Sequence, residues 1–144
     1  MSEVKLEPEA ERSKIVASAP PSLADIEYLA QRALATIPRR LKRHLGPVAI
    51  RVEEFPDAET EAAMELDSPF DILGLYRGVA LPFKSVADPL PHLDMIFLYR
   101  RPILDYWCET GEDLAHLVRH VLIHEIGHHF GFSDADMERI ERSA

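Results

Sequence analysis

Residues 114–134 form the stretch LAHLVRHVLIHEIGHHFGFSD. Its apolar residues recur on most faces of a helix between residues 114 and 130, which is typical of a helix buried in the middle of its domain. Gly131 should end the helix, because glycine adopts the left-handed conformation at little cost. The apolar positions are Leu114, Leu117, Val118, Val121, Leu122, Ile123, Ile126 and Phe130.

This helix carries the motif H-E-x-x-H at residues 124–128. Side chains four positions apart project from one face of a helix, so His124 and His128 can bind the same zinc ion. Glu125 lies about 100° around the helix from His124, which places it beside the metal and within reach of a water there. The pattern predicts a metal-dependent hydrolase with Glu125 as general base.

The motif continues past the helix to give H-E-x-x-H-x-x-G-x-x-D, with Gly131 and Asp134 at the last two fixed positions. The glycine turns the chain back, so that Asp134 can become the third ligand and leave a fourth place open for water. Asp136 is the alternative carboxylate, although its position three residues after Ser133 is better explained by a capping box. The full string arises by chance in about 1 of 10,000 sequences of this composition.

At these residues the chain resembles the bacterial minimal-zincin zinc metallopeptidases. The resemblance covers roughly residues 22–140, is strongest over 124–134, and extends to 74–78 and 99–103. It implies an α+β fold of minimal zincin type, in which a small mixed β-sheet packs against a buried active-site helix. It also implies one Zn²⁺ per chain and a peptide or protein substrate. By position, it implies His124, His128 and Asp134 as metal ligands and Glu125 as the catalytic residue.

Local signals predict the remaining helix ends. Ser22 and Asp25 form a capping-box pattern at the start of a first helix, and Pro38 should kink or end it. At the start of the motif helix we expect Thr110 to cap, with Asp113 as its partner.

The domain organisation follows from composition. Residues 1–21 are expected to be a flexible acidic leader, and residues 22–144 a single zincin-like domain. A short helix is expected over residues 39–45, and a last one after Ser133.

Three segments have strand character: residues 48–52, 73–81 and 95–99. Gly74 and Gly78 in the second strand suggest a bulge, a bend or a close backbone approach. Residues 52–72 hold eight carboxylates with no lysine or arginine, and 82–91 form a turn-rich connection.

The composition is that of a soluble globular chain, and it excludes several classes of function. The 144 residues carry a net charge of −9, which makes nucleic acid and anionic membranes poor partners. No membrane span or targeting signal is recognisable, so a cytoplasmic location is the expectation. The one cysteine, Cys108, excludes an internal disulfide and a four-cysteine zinc site, and is expected to be inert core. The oligomeric state stays open.

Several side chains near the motif have open roles. His120 could line the cleft, bind a neighbouring carboxylate or act as a metal ligand, whereas His129 points away from the metal. Tyr76 and Tyr99 could donate to an oxyanion or simply pack. Residues 74–78 could offer an edge strand to an extended peptide.

Two other functions remain open beside the peptidase. One is a zinc-binding interaction or regulatory module that keeps the fold without efficient proteolysis. The presence of Glu125 argues against it, because a structural zinc site has four protein ligands and needs no base. The weaker alternative is a DNA-linked regulator that uses the basic residues 39–43.

Overall fold

The computed structural model describes residues 19–80 and 92–142. Residues 1–18 of the leader expected over 1–21, and all of the connection expected at 82–91, therefore lie outside the described residues. The helices are α1 (Leu23–Ala35), α2 (Arg39–Lys42), α3 (Ala58–Ala63), α4 (Arg100–Thr110), α5 (Leu114–His129) and α6 (Asp134–Arg142); the strands are β1 (Val48–Glu53), β2 (Gly74–Ala80) and β3 (His92–Tyr99).

The strands form one small mixed sheet in the order β1-β3-β2. The central strand β3 pairs with β1 in parallel and with β2 in antiparallel orientation, and Ile96 faces Ile50 on one side and Tyr76 on the other. All three strand predictions are confirmed in place, although β3 begins at His92, earlier than expected. The α+β architecture with a small mixed sheet is confirmed.

Helix α5 lies at the centre of the domain, as its apolar pattern predicted. It packs against α1, β2 and α6. Of the two glycines of β2, Gly74 makes the predicted close approach: a Cβ there would lie 2.9 Å from the Phe97 carbonyl oxygen and 3.0 Å from Val121 Cγ1. At Gly78 a Cβ would make only an ordinary contact, 3.4 Å from Asp94 Oδ1. The buried core side chains of α5 are Leu117, Val118, Val121, Leu122, Ile123 and Ile126.

The capping box of the first helix is confirmed. Ser22 accepts from the Asp25 N–H at 3.0 Å, and Asp25 accepts from the Ser22 N–H at 2.8 Å. The helix ends at Ala35, and Pro38 is the N-cap of α2. The helix expected over residues 39–45 is shorter than predicted and covers only Arg39–Lys42.

The predicted cap of the motif helix was wrong. Asp113 itself is the N-cap, and its carboxylate accepts from the His116 N–H at 3.0 Å. Thr110 is instead the last residue of α4, where its hydroxyl donates to the Tyr106 carbonyl oxygen at 3.0 Å. The left-handed Gly111, with φ of 69°, separates the two helices.

The prediction that Cys108 is inert core was also wrong, because this cysteine is exposed. Helix α4 buries Pro102 and Ile103. Five residues after Ile103, the helix has turned about 140° further round, which directs Cys108 to solvent.

None of the helices within the described ranges has the length and apolarity needed to cross a bilayer.

Candidate metal centre

The end of α5 is a tight reversal built on Gly131. This residue has φ of 83°, and the following Phe132 N–H donates to the Gly127 carbonyl oxygen at 2.8 Å. The Gly131 N–H donates to the His128 carbonyl oxygen at 3.2 Å. These two bonds form a Schellman motif, which closes the helix and turns the chain back across it. The predicted helix stop at Gly131 is confirmed.

A capping box starts the returning helix immediately. The Asp136 N–H donates to Ser133 Oγ at 3.1 Å, and the Ser133 N–H donates to the Asp136 carboxylate at 3.4 Å. The box fixes where α6 begins, so Asp134 occupies its first turn. The side chain of Asp134 remains 86% exposed.

Gly127 lets α6 lie close to α5. A Cβ at this position would lie 2.7 Å from Met137 Cγ and closer still to Met137 Sδ. Met137 is completely buried. Gly127, the second x of the H-E-x-x-H motif, is therefore a packing position, because a side chain there would overlap Met137 and force either its side chain or its helix to shift. Sequence reasoning missed this role.

The reversal brings His124, His128 and Asp134 together. Their ligand atoms all lie within 4.8 Å of one another. The Nε2 atom of His128 lies 3.3 Å from Asp134 Oδ1, and the imidazole centroids of His124 and His128 are 5.8 Å apart. Two imidazoles and a carboxylate are a donor set that suits zinc. The three residues named from the motif thus form a group that could hold a metal ion.

Asp136 is used differently. Hydrogen bonds from the Ser133 side chain and main chain hold the pKa of Asp136 below its ordinary value, with a further contribution from Arg139. Its carboxylate also forms an ion pair with Arg139. Of the two carboxylates considered from the sequence, Asp134 is the one that the structure places beside the histidines.

Glu125 lies on the adjoining face of the helix, towards strand β2. Burial raises the pKa of its carboxyl above the ordinary value, while His128 and a hydrogen bond from the Tyr76 main chain oppose that rise. The side chain is thus half-buried beside one candidate ligand and fixed by the sheet. This is the position expected for a group that acts next to a metal without binding it.

The Tyr76 main chain faces away from the sheet interior. Leu73 and Tyr99 form a hydrogen-bonded pair, because the Tyr99 N–H donates to the Leu73 carbonyl oxygen. From this pair onwards, hydrogen-bonded and non-hydrogen-bonded residue pairs alternate along the antiparallel β2–β3 ladder. Tyr76 faces Ile96 in the register, which makes this a non-hydrogen-bonded pair. Its N–H and carbonyl groups therefore point to the outer edge of β2, on the side of Glu125.

The Tyr76 side chain packs and is held by Asp94. Its hydroxyl donates to Asp94 Oδ2 at 2.7 Å, and its ring stacks on His129 with centroids 4.0 Å apart. Burial, followed by the bond to Asp94, raises the pKa of Tyr76. In this arrangement the hydroxyl is committed to Asp94 rather than directed at a substrate.

Tyr99 belongs to the core. It is 2% exposed, and burial raises its pKa to about 12. A hydrogen bond joins its hydroxyl to the side chain of Thr60, the buried residue of α3. Sequence reasoning missed α3, whose signal is the Asp57 side chain that accepts from the Thr60 N–H at 2.7 Å.

A second group of donors adjoins the first. The ligand atoms of His120, His124 and Glu141 also lie within 4.8 Å of one another. His120 Nδ1 lies 2.9 Å from Glu141 Oε2, and His124 Nε2 lies 3.4 Å from Glu141 Oε1. His120 thus has a carboxylate partner, one of the three roles considered from the sequence. Sequence reasoning missed Glu141 itself.

Burial lowers the pKa of His124, and the proximity of His120 lowers it further. Glu141 acts in the opposite direction. The net effect favours the neutral imidazole, which is the form that binds a metal ion.

A family model described as zincin-like metallopeptidase matches residues 45–144, well over half of the chain. The matched range contains all three strands of the sheet and both donor groups. No curated protein matches this chain.

Proposed function

The chain belongs to the zincin-like metallopeptidase family, and we propose that it is a zinc-dependent peptidase with Glu125 as its general base. In this proposal His124, His128 and Asp134 bind one zinc ion per chain. One observation carries the proposal: the ligand atoms of these three residues lie within 4.8 Å, although they come from the end of one helix and the start of the next.

Zinc, when bound, supplies a Lewis acid and lowers the pKa of a coordinated water from about 15.7 towards about 7. The chain supplies three protein donors, the usual number in a catalytic zinc site. The lowered pKa of His124 supports its role as a neutral ligand at neutral pH.

Glu125 would move the proton. Because burial raises its pKa, Glu125 is a stronger base than an exposed glutamate. The hydrogen bond from the Tyr76 main chain holds the carboxylate in place. It would accept a proton from the attacking water as the new C–O bond forms, and deliver that proton to the amine nitrogen as the C–N bond breaks.

The outer edge of β2 would hold the substrate main chain. Alternation along the ladder directs the main-chain groups of Gly74, Tyr76 and Gly78 outwards. An extended peptide can add to such an edge as a further strand. The Tyr76 N–H already donates to Glu125, so a peptide along this edge would bond to the Tyr76 carbonyl oxygen and the Gly78 main chain, beside the general base.

A zinc-binding interaction module is the second candidate. The side chains of His128 and Asp134 are 55% and 86% exposed, so the proposed metal position is open to solvent rather than enclosed in a cleft. An open metal position suits docking of a partner as well as catalysis. An interaction module needs no general base, whereas the peptidase requires Glu125. The effect of replacing Glu125 therefore distinguishes the two functions.

Cleavage of a peptide library by the zinc-loaded protein tests the proposal. Glu125→Gln should keep its zinc and lose about 100- to 10,000-fold of the rate, the contribution typical of general base catalysis. Glu138→Gln, an exposed change of the same kind on α6, is the matched control and should cleave normally. Cleavage that persists in Glu125→Gln contradicts the mechanism. Zinc binding without cleavage in the wild type favours the interaction module.

A further inference from the structure

Four histidines, His116, His120, His124 and His128, recur at intervals of four residues along α5, and the last three lie close enough for their rings to adjoin. These last three form a stripe on nearly one face over about 12 Å of helix. The ring centroids of His120 and His124 are 4.0 Å apart, and those of His124 and His128 are 5.8 Å apart. The proposed peptidase site uses only the last two of these histidines.

Helix α6 presents two carboxylates to this stripe. Asp134 and Glu141 are seven residues apart, which places them on the same face of α6 with about 10.5 Å between them along the axis. Because α6 runs back along α5, Asp134 lies beside His128 and Glu141 lies beside the two earlier histidines. His124, in the middle of the stripe, therefore belongs to both donor groups.

We propose that His120, His124 and Glu141 form a second divalent-metal position, which suits zinc and is an alternative to the first. The donor set again consists of two imidazoles and a carboxylate within 4.8 Å. The Glu141 side chain is 15% exposed, whereas Asp134 is 86% exposed. The carboxylate of the second position is thus the more firmly held of the two, because packing around it limits its movement.

The two positions compete for one ligand. A neutral imidazole has a single free lone pair, so His124 can serve only one ion at a time. An ion held by His120 and Glu141 would leave the first position without His124 and away from Glu125. This inference rests on the proposed function, in which peptide cleavage takes place at the first metal position beside Glu125. A metal ion at the second position would support no cleavage.

Zinc affinity, measured by competition with a chromophoric chelator, tests this inference in variants that lack the first position. His128→Ala should still bind one zinc ion through the second position. Adding His120→Ala or Glu141→Gln to that variant should weaken the remaining zinc affinity by at least about 100-fold. Loss of a residue that only hydrogen-bonds to a metal ligand costs up to about 100-fold, and loss of a ligand itself should cost at least as much. Adding His116→Ala or Glu138→Gln, exposed neighbours on the same two helices, should leave it unchanged.

Asp134→Asn provides a second background, because an exposed side chain can be changed without loss of folding. The far-UV circular dichroism spectrum of every variant checks that the helices are intact. In the wild-type background, His120→Ala should increase the cleavage rate per bound zinc, since more of the metal then occupies the first position.

The outcomes separate this inference from the proposed function. If the wild type binds zinc and His128→Ala and Asp134→Asn do not, the second position is absent and His120 and Glu141 form only an ion pair. Residual affinity that is insensitive to His120→Ala and Glu141→Gln equally overturns the inference. If His128→Ala and Asp134→Asn bind zinc as tightly as the wild type while His120→Ala does not, the inference stands and the proposed ligand set fails.

Discussion

Replacement of Gly127 by alanine tests how the metal centre is held together. The new Cβ would lie 2.7 Å from Met137 Cγ and closer to Met137 Sδ. Met137 is fully buried, so its side chain cannot swing into solvent to make room. Either Met137 adopts a strained rotamer or α6 moves away from α5, and the second response carries Asp134 away from the two histidines.

The cost follows from two opposing effects. Forcing an extra methyl group into a packed core costs about 1–3 kcal/mol, and the overlap with Met137 indicates the upper half of that range. Alanine recovers about 1 kcal/mol of helix propensity relative to glycine. The net loss in the free energy of unfolding is therefore about 1–2 kcal/mol. With a urea m-value near 2 kcal/mol/M, the midpoint should fall by about 0.5–1 M.

Urea unfolding of four proteins isolates the contact: the wild type, Gly127→Ala, Met137→Ala and the double variant. In the Met137→Ala background the clash is gone, so Gly127→Ala should be neutral or stabilising. Gly46→Ala is the control for a glycine with open surroundings, because no atom of residues 19–80 or 92–142 lies within 4 Å of a Cβ there. An equal loss from Gly127→Ala in both backgrounds would refute the packing argument.

Three further predictions concern the reversal and the sheet. Asp134→Ala should weaken zinc binding by at least about 100-fold in a chelator competition assay, and Asp136→Ala should not; the reverse result means that the wrong carboxylate was chosen. Gly131→Ala should lower the free energy of unfolding by about 1–2 kcal/mol in urea titrations, because alanine is strained in the left-handed conformation that φ of 83° requires. An unchanged urea midpoint would exclude this backbone strain. Tyr76→Phe should lower the free energy of unfolding by about 1–2 kcal/mol through loss of the hydrogen bond to Asp94, and the variant should still cleave peptides. If cleavage is lost while zinc affinity stays normal, the hydroxyl takes part in the reaction.

Local patterns in the sequence predicted the elements that carry the candidate site. The apolar period of α5, the left-handed turn at Gly131 and the capping box at Ser133 each depend on residues close together in the chain. The arrangement of His124 and Asp134 follows from those three features together. It can therefore be inferred from the amino-acid sequence alone.

Features that depend on distant packing could not be inferred in the same way. The partnership of His120 with Glu141 joins residues 21 apart, and nothing in either local sequence indicates it. The packing role of Gly127 depends on where Met137 comes to rest. Thr110 shows the limit of local patterns, because it fits a capping box with Asp113 yet belongs to the end of the preceding helix.

Anomalous X-ray diffraction at the zinc edge, from crystals of protein loaded with one equivalent of zinc, would locate the metal and so test the proposed ligand set. We expect a principal peak within bonding distance of His124, His128 and Asp134, at zinc–ligand distances of about 2.0–2.2 Å. A principal peak held by His120 and Glu141 instead, or a peak away from Asp134 altogether, would contradict this ligand set.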